Sequence, residues 1–308
     1  MTAVLDPPHP APTATRAVPL ARLTHIELRK LGDTRAGLWL LIIIGLATAG
    51  TSAIVLGWAP DNELTFAGFF AFGLVPSMVL LPVLGILSMT SEWSQRTAIS
   101  TFTLVPARGR VIVAKLAAGV AVALGSTVAT AVLAAAANLL GLALGGDGGW
   151  QIAGSLLWQG LLGEVIFVLM GLGFGAVLLS SPLAIVTYFA LPTLWSVLGE
   201  LIKPLNDAAK WLDVNATTAA LSEPAMTGGE YARLAVSVAL WVALPLARGT
   251  WRVLRREVAS EPSPAGRRRP RDARSVVCRR PARVRGGACP SVHSHPAVAG
   301  RSTSRTAR

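Results

Sequence analysis

Six apolar runs, each near the length that crosses a bilayer, occupy most of this 308-residue chain. They fall at about Gly37–Gly57, Phe66–Met89, Val111–Leu144, Ile152–Leu179, Leu183–Leu201 and Leu234–Trp251. A helix needs about 20 apolar residues to cross about 30 Å of hydrocarbon. Hydrocarbon offers backbone groups no water, so such runs must satisfy their own hydrogen bonds as helices. The expected fold is therefore an all-α polytopic membrane protein with six transmembrane helices. Charge supports this: 14% of the residues are charged and 52% are hydrophobic, with a mean hydropathy of +0.55. An average soluble domain carries roughly 25% charged residues. Pro76 and Pro82 mark kink points in the second run. The third is long enough to tilt or project beyond the bilayer. Ser180, Ser181 and Pro182 leave room only for a tight turn between the fourth and fifth.

The flanks divide into three regions. Residues 1–19 hold five prolines and read as a disordered leader. They lack the early apolar core of a secretory signal. Residues 20–256 form the transmembrane domain. Residues 257–308 are rich in Arg and Pro, have no usable hydrophobic period, and read as a disordered tail. The tail dominates the net charge of +12: it holds 12 Arg against 3 acids, whereas residues 1–256 hold 16 Lys/Arg against 13 Asp/Glu. Its Arg clusters suit anionic lipid better than a specific nucleic acid, and a tail without a selected role fits the composition too. Both cysteines, Cys278 and Cys289, lie there, so no disulfide can staple the bundle, and no metal site is expected.

Leu20 to Arg35 reads as a helix lying along the membrane, with Leu20, Leu23, Ile26, Leu28 and Leu31 on one face. Glu27 and Lys30 project beside that face, three residues apart, and can pair. Two readings stand: a snorkelling interfacial helix, or a Glu27 held against the bundle or a partner. Lys and Arg asymmetry sets the orientation. Arg16, Arg22, Arg29, Lys30 and Arg35 precede the first run. Arg96, Arg108, Arg110 and Lys115 lie between the second and third, and Arg248, Arg252, Arg255 and Arg256 end the sixth. The other side collects acids, including Asp147, Glu200, Asp213 and Glu223. Both termini are expected in the cytoplasm, with residues 202–230 outside. There Leu205, Trp211, Leu212 and Val214 suit a short interfacial helix over the outer mouth.

The polar stretch Glu92–Lys115 interrupts the apolar pattern. Thr90 or Ser91 is placed to cap a short helix starting near Glu92, and Pro106 to end it. Arg108 and Arg110 then face lipid phosphates or an acidic partner. The order Glu92-Trp93-x-x-Arg96-Thr97, Pro106-x-Arg108-Gly109-Arg110 and then Lys115 resembles the first cytoplasmic loop of bacterial ABC-2-type transporter permeases. The upstream His25-Ile26-Glu27-Leu28-Arg29-Lys30-Leu31 is similar to that family's interfacial elbow helix. Arg96 stands where many relatives carry Gly. The resemblance spans about residues 20–256. It implies a dimeric transmembrane unit, homo- or heteromeric, in the cell membrane and driven by separate cytoplasmic ATPase subunits that hold ATP and Mg. It implies further that Glu92, Trp93, Arg96, Thr97, Pro106, Arg108 and Arg110 lie at the ATPase-docking surface, with Glu27, Arg29 and Lys30 beside it. The expected activity is transport, in the export direction, and not chemistry on this chain.

No G-x-x-x-x-G-K-[ST] loop is present, so ATP hydrolysis is expected elsewhere. Gly171-Leu172-Gly173-Phe174-Gly175 looks nucleotide-like but lies in an apolar run, where close helix packing explains it. Glu164 is the one acid well inside a run, and such a carboxylate is a functional candidate by default. It could contact substrate, pair with Asn138, or serve structure as a hydrogen-bonded group. The tryptophans near run ends suit interfacial belts. A membrane scaffold that recruits an ATPase without transporting is the alternative. An intramembrane enzyme is disfavoured, since no run carries a catalytic His/Glu or Ser/His constellation.

Overall fold

The computed structural model of the protein describes residues 18–94, 108–146, 148–223 and 225–255. Among these residues there is no strand, and six helical segments are long and apolar enough to cross a membrane. The chain is a multi-pass α-helical membrane protein. The leader, the tail, Arg96, Thr97 and Pro106 lie outside the described residues, as does the Arg108 side chain.

The elbow helix is α1, Leu20–Asp33. Thr34 then caps α2, Arg35–Trp58, its hydroxyl accepting from the Gly37 amide at 3.2 Å. The next spans are α3 (Phe66–Ser94), α4 (Arg108–Ala143), α5 (Gly154–Leu178) and α6 (Ser181–Leu201). Short helices α7 (Lys203–Leu212) and α8 (Val214–Ala219) follow, so the segment is helical as expected. The last span combines α9 (Gly228–Val238), a π-helical turn at Ala239–Ala243 and α10 (Leu244–Arg255). The π turn ends two residues before Pro245, whose missing N–H and bulky ring would disrupt a regular α-helix there. The turn leaves Trp241 buried, its indole donating to the Leu212 carbonyl at 2.6 Å.

Two expectations about boundaries need correction. No new helix begins near Glu92, because α3 continues unbroken to Ser94. Thr90 is therefore interior and caps nothing. Its hydroxyl lies 2.9 Å from the Ile86 carbonyl and 2.6 Å from the Ser181 hydroxyl, tying α3 to the start of α6. The last span also begins six residues earlier than its apolar pattern suggested, because a Thr227–Glu230 capping box starts α9 at Gly228. The long α4 has 36 residues. At 1.5 Å per residue it runs about 54 Å, well beyond a bilayer core.

The central helix is α5. Of its apolar window 61% is buried, against 22% for α2 and α6. Association of helices inside lipid depends on close packing, because lipid tails are as apolar as the side chains. Glycine supplies that closeness along α5. A Cβ at Gly171 would lie 2.3 Å from the Pro82 carbonyl oxygen, and one at Gly175 would press on Met89 and Ile86. On its other side, Gly249 of α10 lies so near α5 that a Cβ would approach Ala176 to 2.4 Å. The glycine run is thus a helix-packing surface. The outward faces carry Leu46, Trp58, Val132 and Val186, each more than half exposed, as lipid-facing positions require. At the α5–α6 turn Leu179 takes a left-handed conformation with φ 53°, and Pro182 enters in the first turn of α6.

Candidate functional site

Two clusters among the described residues centre on buried ionisable side chains. The first lies where α1 meets the end of α3 and the start of α4. Glu27 and Lys30 come from α1, Glu92 from the last turn of α3, and Lys115 from two turns into α4. The Lys115 ammonium lies 2.6 Å from Glu27 and 3.1 Å from Glu92. The Lys30 ammonium lies 2.7 Å from Glu27 and 3.1 Å from Glu92. Two cations and two anions thus alternate around a closed, neutral square. Lys115 also donates to the Ser88 carbonyl at 3.1 Å.

Burial makes this arrangement consequential. The side chains of Lys115 and Glu27 are 5% and 6% exposed. Burial pushes the Glu27 carboxyl up, but Lys115 and Lys30 outweigh it and hold the group below the usual carboxylate range. Burial likewise pushes Lys30 down, and Glu27 and Glu92 overcome this to raise it. Both shifts favour the charged forms. Of the two readings of α1, the one in which Glu27 is held against the bundle is therefore the one realised. A cavity of about 390 Å³ adjoins the square, bordered by Thr34, Ser88, Ser91 and Ser181.

The candidates divide around this square. Glu27, Lys30 and Glu92 come together. Arg29 lies on the exposed side of α1, paired with Asp33 at 3.1 Å. Arg110 donates to the Val18 carbonyl at 2.7 Å, fastening the approach to α1 onto α4. Trp93 packs on the core formed by Leu81, Met89 and Ile112. Sequence reasoning noted Lys115 as the residue opening the third span but did not count it in the site. Its signal was there: a lone cation in an apolar run, with Glu27 on the preceding amphipathic helix and Glu92 at a span end needing partners.

The second cluster is deep in the bundle. Glu164 of α5 is fully buried. Its carboxylate oxygens are reached by Ser77 of α3 at 2.5 Å, and by Thr127 and Ser126 of α4 at 2.9 and 3.2 Å. The expected pairing with Asn138 does not form. Asn138 is eleven residues beyond Thr127 on the same helix, about 16 Å along its axis. It instead donates to the Gly148 and Gly149 carbonyls at 3.3 and 3.5 Å, closing the loop after α4.

Three hydroxyls on one carboxylate form a cross-link among α3, α4 and α5. Replacing Glu164 with Gln should preserve the fold. The amide oxygen still accepts, and Ser77 and Thr127 have alternative acceptors in the Leu74 and Ala123 carbonyls at 2.9 and 3.0 Å. Glu164→Leu should cost about 1–3 kcal/mol. Thermal unfolding in detergent checks both. A Gln variant as unstable as the Leu variant would remove the hydrogen-bonding explanation. No family model matches the chain, and no curated protein matches its sequence.

Proposed function

We propose that this protein is the transmembrane subunit of an ABC-2-type exporter, coupled to a separate cytoplasmic ATPase. The observation that carries the reading is the buried charge square. It fastens the elbow helix to the ends of α3 and α4, the two spans that flank residues 95–107. A push on the elbow or on that loop is then transmitted to both spans as rigid-body motion, since packed helices shift between discrete arrangements. Arg29, on the outer side of α1, and Arg96, Arg108 and Arg110 make a cationic set for an acidic face on the ATPase. In this reading the subunit works as a dimer in the cell membrane with both termini inside, and ATP and Mg are bound by the partner chains.

Reconstitution provides the test. The chain, with Cys278 and Cys289 changed to Ser, is co-expressed with a candidate ATPase and placed in vesicles. Stimulated ATP turnover is expected, falling at least about tenfold in an Arg96→Glu/Arg108→Glu variant, as loss of docking charge implies. A Thr101→Cys variant should react with an impermeant maleimide only when the cytoplasmic face is accessible. Reaction from the outside overturns the reading. A stable complex with no stimulated turnover would favour the scaffold alternative.

A further inference from the structure

A cavity of about 460 Å³ lies between α3, α5 and α6, beneath the segment that carries α8. Small-molecule sites occupy roughly 300–1,000 Å³. Its walls are Phe70, Leu74 and Met78 of α3, Phe167 and Met170 of α5, and Tyr188 of α6. Among the described residues, no charged one lines it. Its membrane-facing rim includes Val75, Val79 and Phe189, all at least 40% exposed, which opens a route from the lipid.

One lining residue does not fit an apolar wall. Gln159 of α5 is 0% exposed, and neither its amide nitrogen nor its amide oxygen has a hydrogen-bond partner among the described residues. A buried amide left that way is costly, and native interiors rarely keep one. Thr218, Thr193 and Asn215, also on the wall and rim, each have a partner. The Thr218 hydroxyl donates to the Val214 carbonyl and the Thr193 hydroxyl to the Phe189 carbonyl. The Asn215 amide donates to Ser196 at 3.0 Å. Glycine brings the polar group close to the α3 wall: a Cβ at Gly160, next to Gln159, would lie 2.7 Å from Leu74.

We propose that this cavity binds an uncharged, mostly hydrocarbon molecule that carries one amide group. The Gln159 amide has no accessible surface as it stands; a rotation of its side chain toward the cavity offers one acceptor and a pair of donors, and the complementary group presents a carbonyl and an N–H together. An ion is disfavoured, because no opposite charge compensates its desolvation. Met78 and Met170 give the wall the adaptability to follow different hydrocarbon shapes. The site goes beyond the transport reading and does not require an ATPase.

Photolabelling tests it on the full chain in lipid nanodiscs. The probe is a long-chain primary amide bearing a diazirine, and the control is the matching alkane diazirine. Amide labelling should concentrate on peptides of α3, α5 and α6 that line the cavity and be competed by unlabelled amide. Gln159→Leu should reduce it about tenfold, equivalent to loss of one good polar interaction, and leave alkane labelling unchanged. Ala71→Phe, at an exposed rim position, should narrow the cavity and reduce labelling by both probes there without disturbing Gln159. Amide labelling that ignores both variants, or spreads over all lipid-facing helices as the alkane does, overturns the proposal. So does absent labelling of the folded wild-type chain, the result expected if water or a second copy of the chain satisfies Gln159.

Discussion

Replacing Lys115 with Met is expected to cost the fold about 3–5 kcal/mol, because it strands buried anions without their shared partner. Glu27 keeps Lys30, but Lys30 is 43% exposed and less able to offset its burial. Removing the charge of Glu27 at the same time should recover much of the loss. The Glu27→Gln/Lys115→Met double variant retains the Lys30–Glu92 pair at 3.1 Å and leaves no unbalanced charge. Disrupting the exposed Arg29–Asp33 pair by Arg29→Ala should change stability by less than about 1 kcal/mol. Equilibrium unfolding in detergent, followed by helix signal, gives the values for these three variants against the unaltered chain. A Lys115→Met cost near that of Arg29→Ala would mean that the square is decorative. Acidity gives an independent reading. Glu27 has a depressed pKa when folded, so its contribution is full above the ordinary carboxylate range and is lost as pH falls through the lowered value. The Lys30 contribution has the opposite sense. It is full below the ordinary lysine pKa and fades as pH rises through the raised value.

The spans were legible because the bilayer imposes a length and an apolar requirement that each run meets alone. The elbow was legible as an amphipathic helix, but not its docking. Glu27 and Lys30 announce a pair within one helix, whereas the cation that buries Glu27 is 88 residues away in sequence. Hydropathy cannot supply that distance. Thr90 and Ser91 misled for a related reason. Serine and threonine cap helices in water, yet inside a bundle a hydroxyl such as that of Thr90 bonds to the preceding turn. Glu164 stood out by its charge, whereas Ser77, Ser126 and Thr127 did not, since isolated hydroxyls are unremarkable in apolar helices. Gln159 gave no signal, because its peculiarity is the lack of a partner among the described residues and that exists only in three dimensions. The π turn before Pro245 was equally hidden: proline announces a disturbed helix but not which adjustment the backbone makes.

Helix packing yields the other large effect, and it turns on one hydrogen atom. Gly171→Leu should cost more than about 3 kcal/mol, or prevent folding, and Gly171→Ala about 1–3 kcal/mol. The nearest atoms to a new Cβ are the Pro82 carbonyl oxygen at 2.3 Å and two more backbone atoms of Pro82 at 2.9 Å. A side chain could rotate aside, but backbone cannot, so relief requires α3 and α5 to separate. Separation would disturb the contacts of Gly85 with the Val168 carbonyl and of Gly175 with the Ile86 backbone. It would also stretch the Ser77–Glu164 bond, one turn and a half up α3. Gly45→Ala in α2 is the matched control, because a Cβ there meets nothing within 4 Å. That change should be neutral or stabilise by up to about 1 kcal/mol through helix propensity. The contrast uses the same residue exchange in two membrane helices, so composition and hydropathy change alike. Equal unfolding midpoints for Gly171→Ala and Gly45→Ala would mean that α3 and α5 do not approach as closely as their glycines permit.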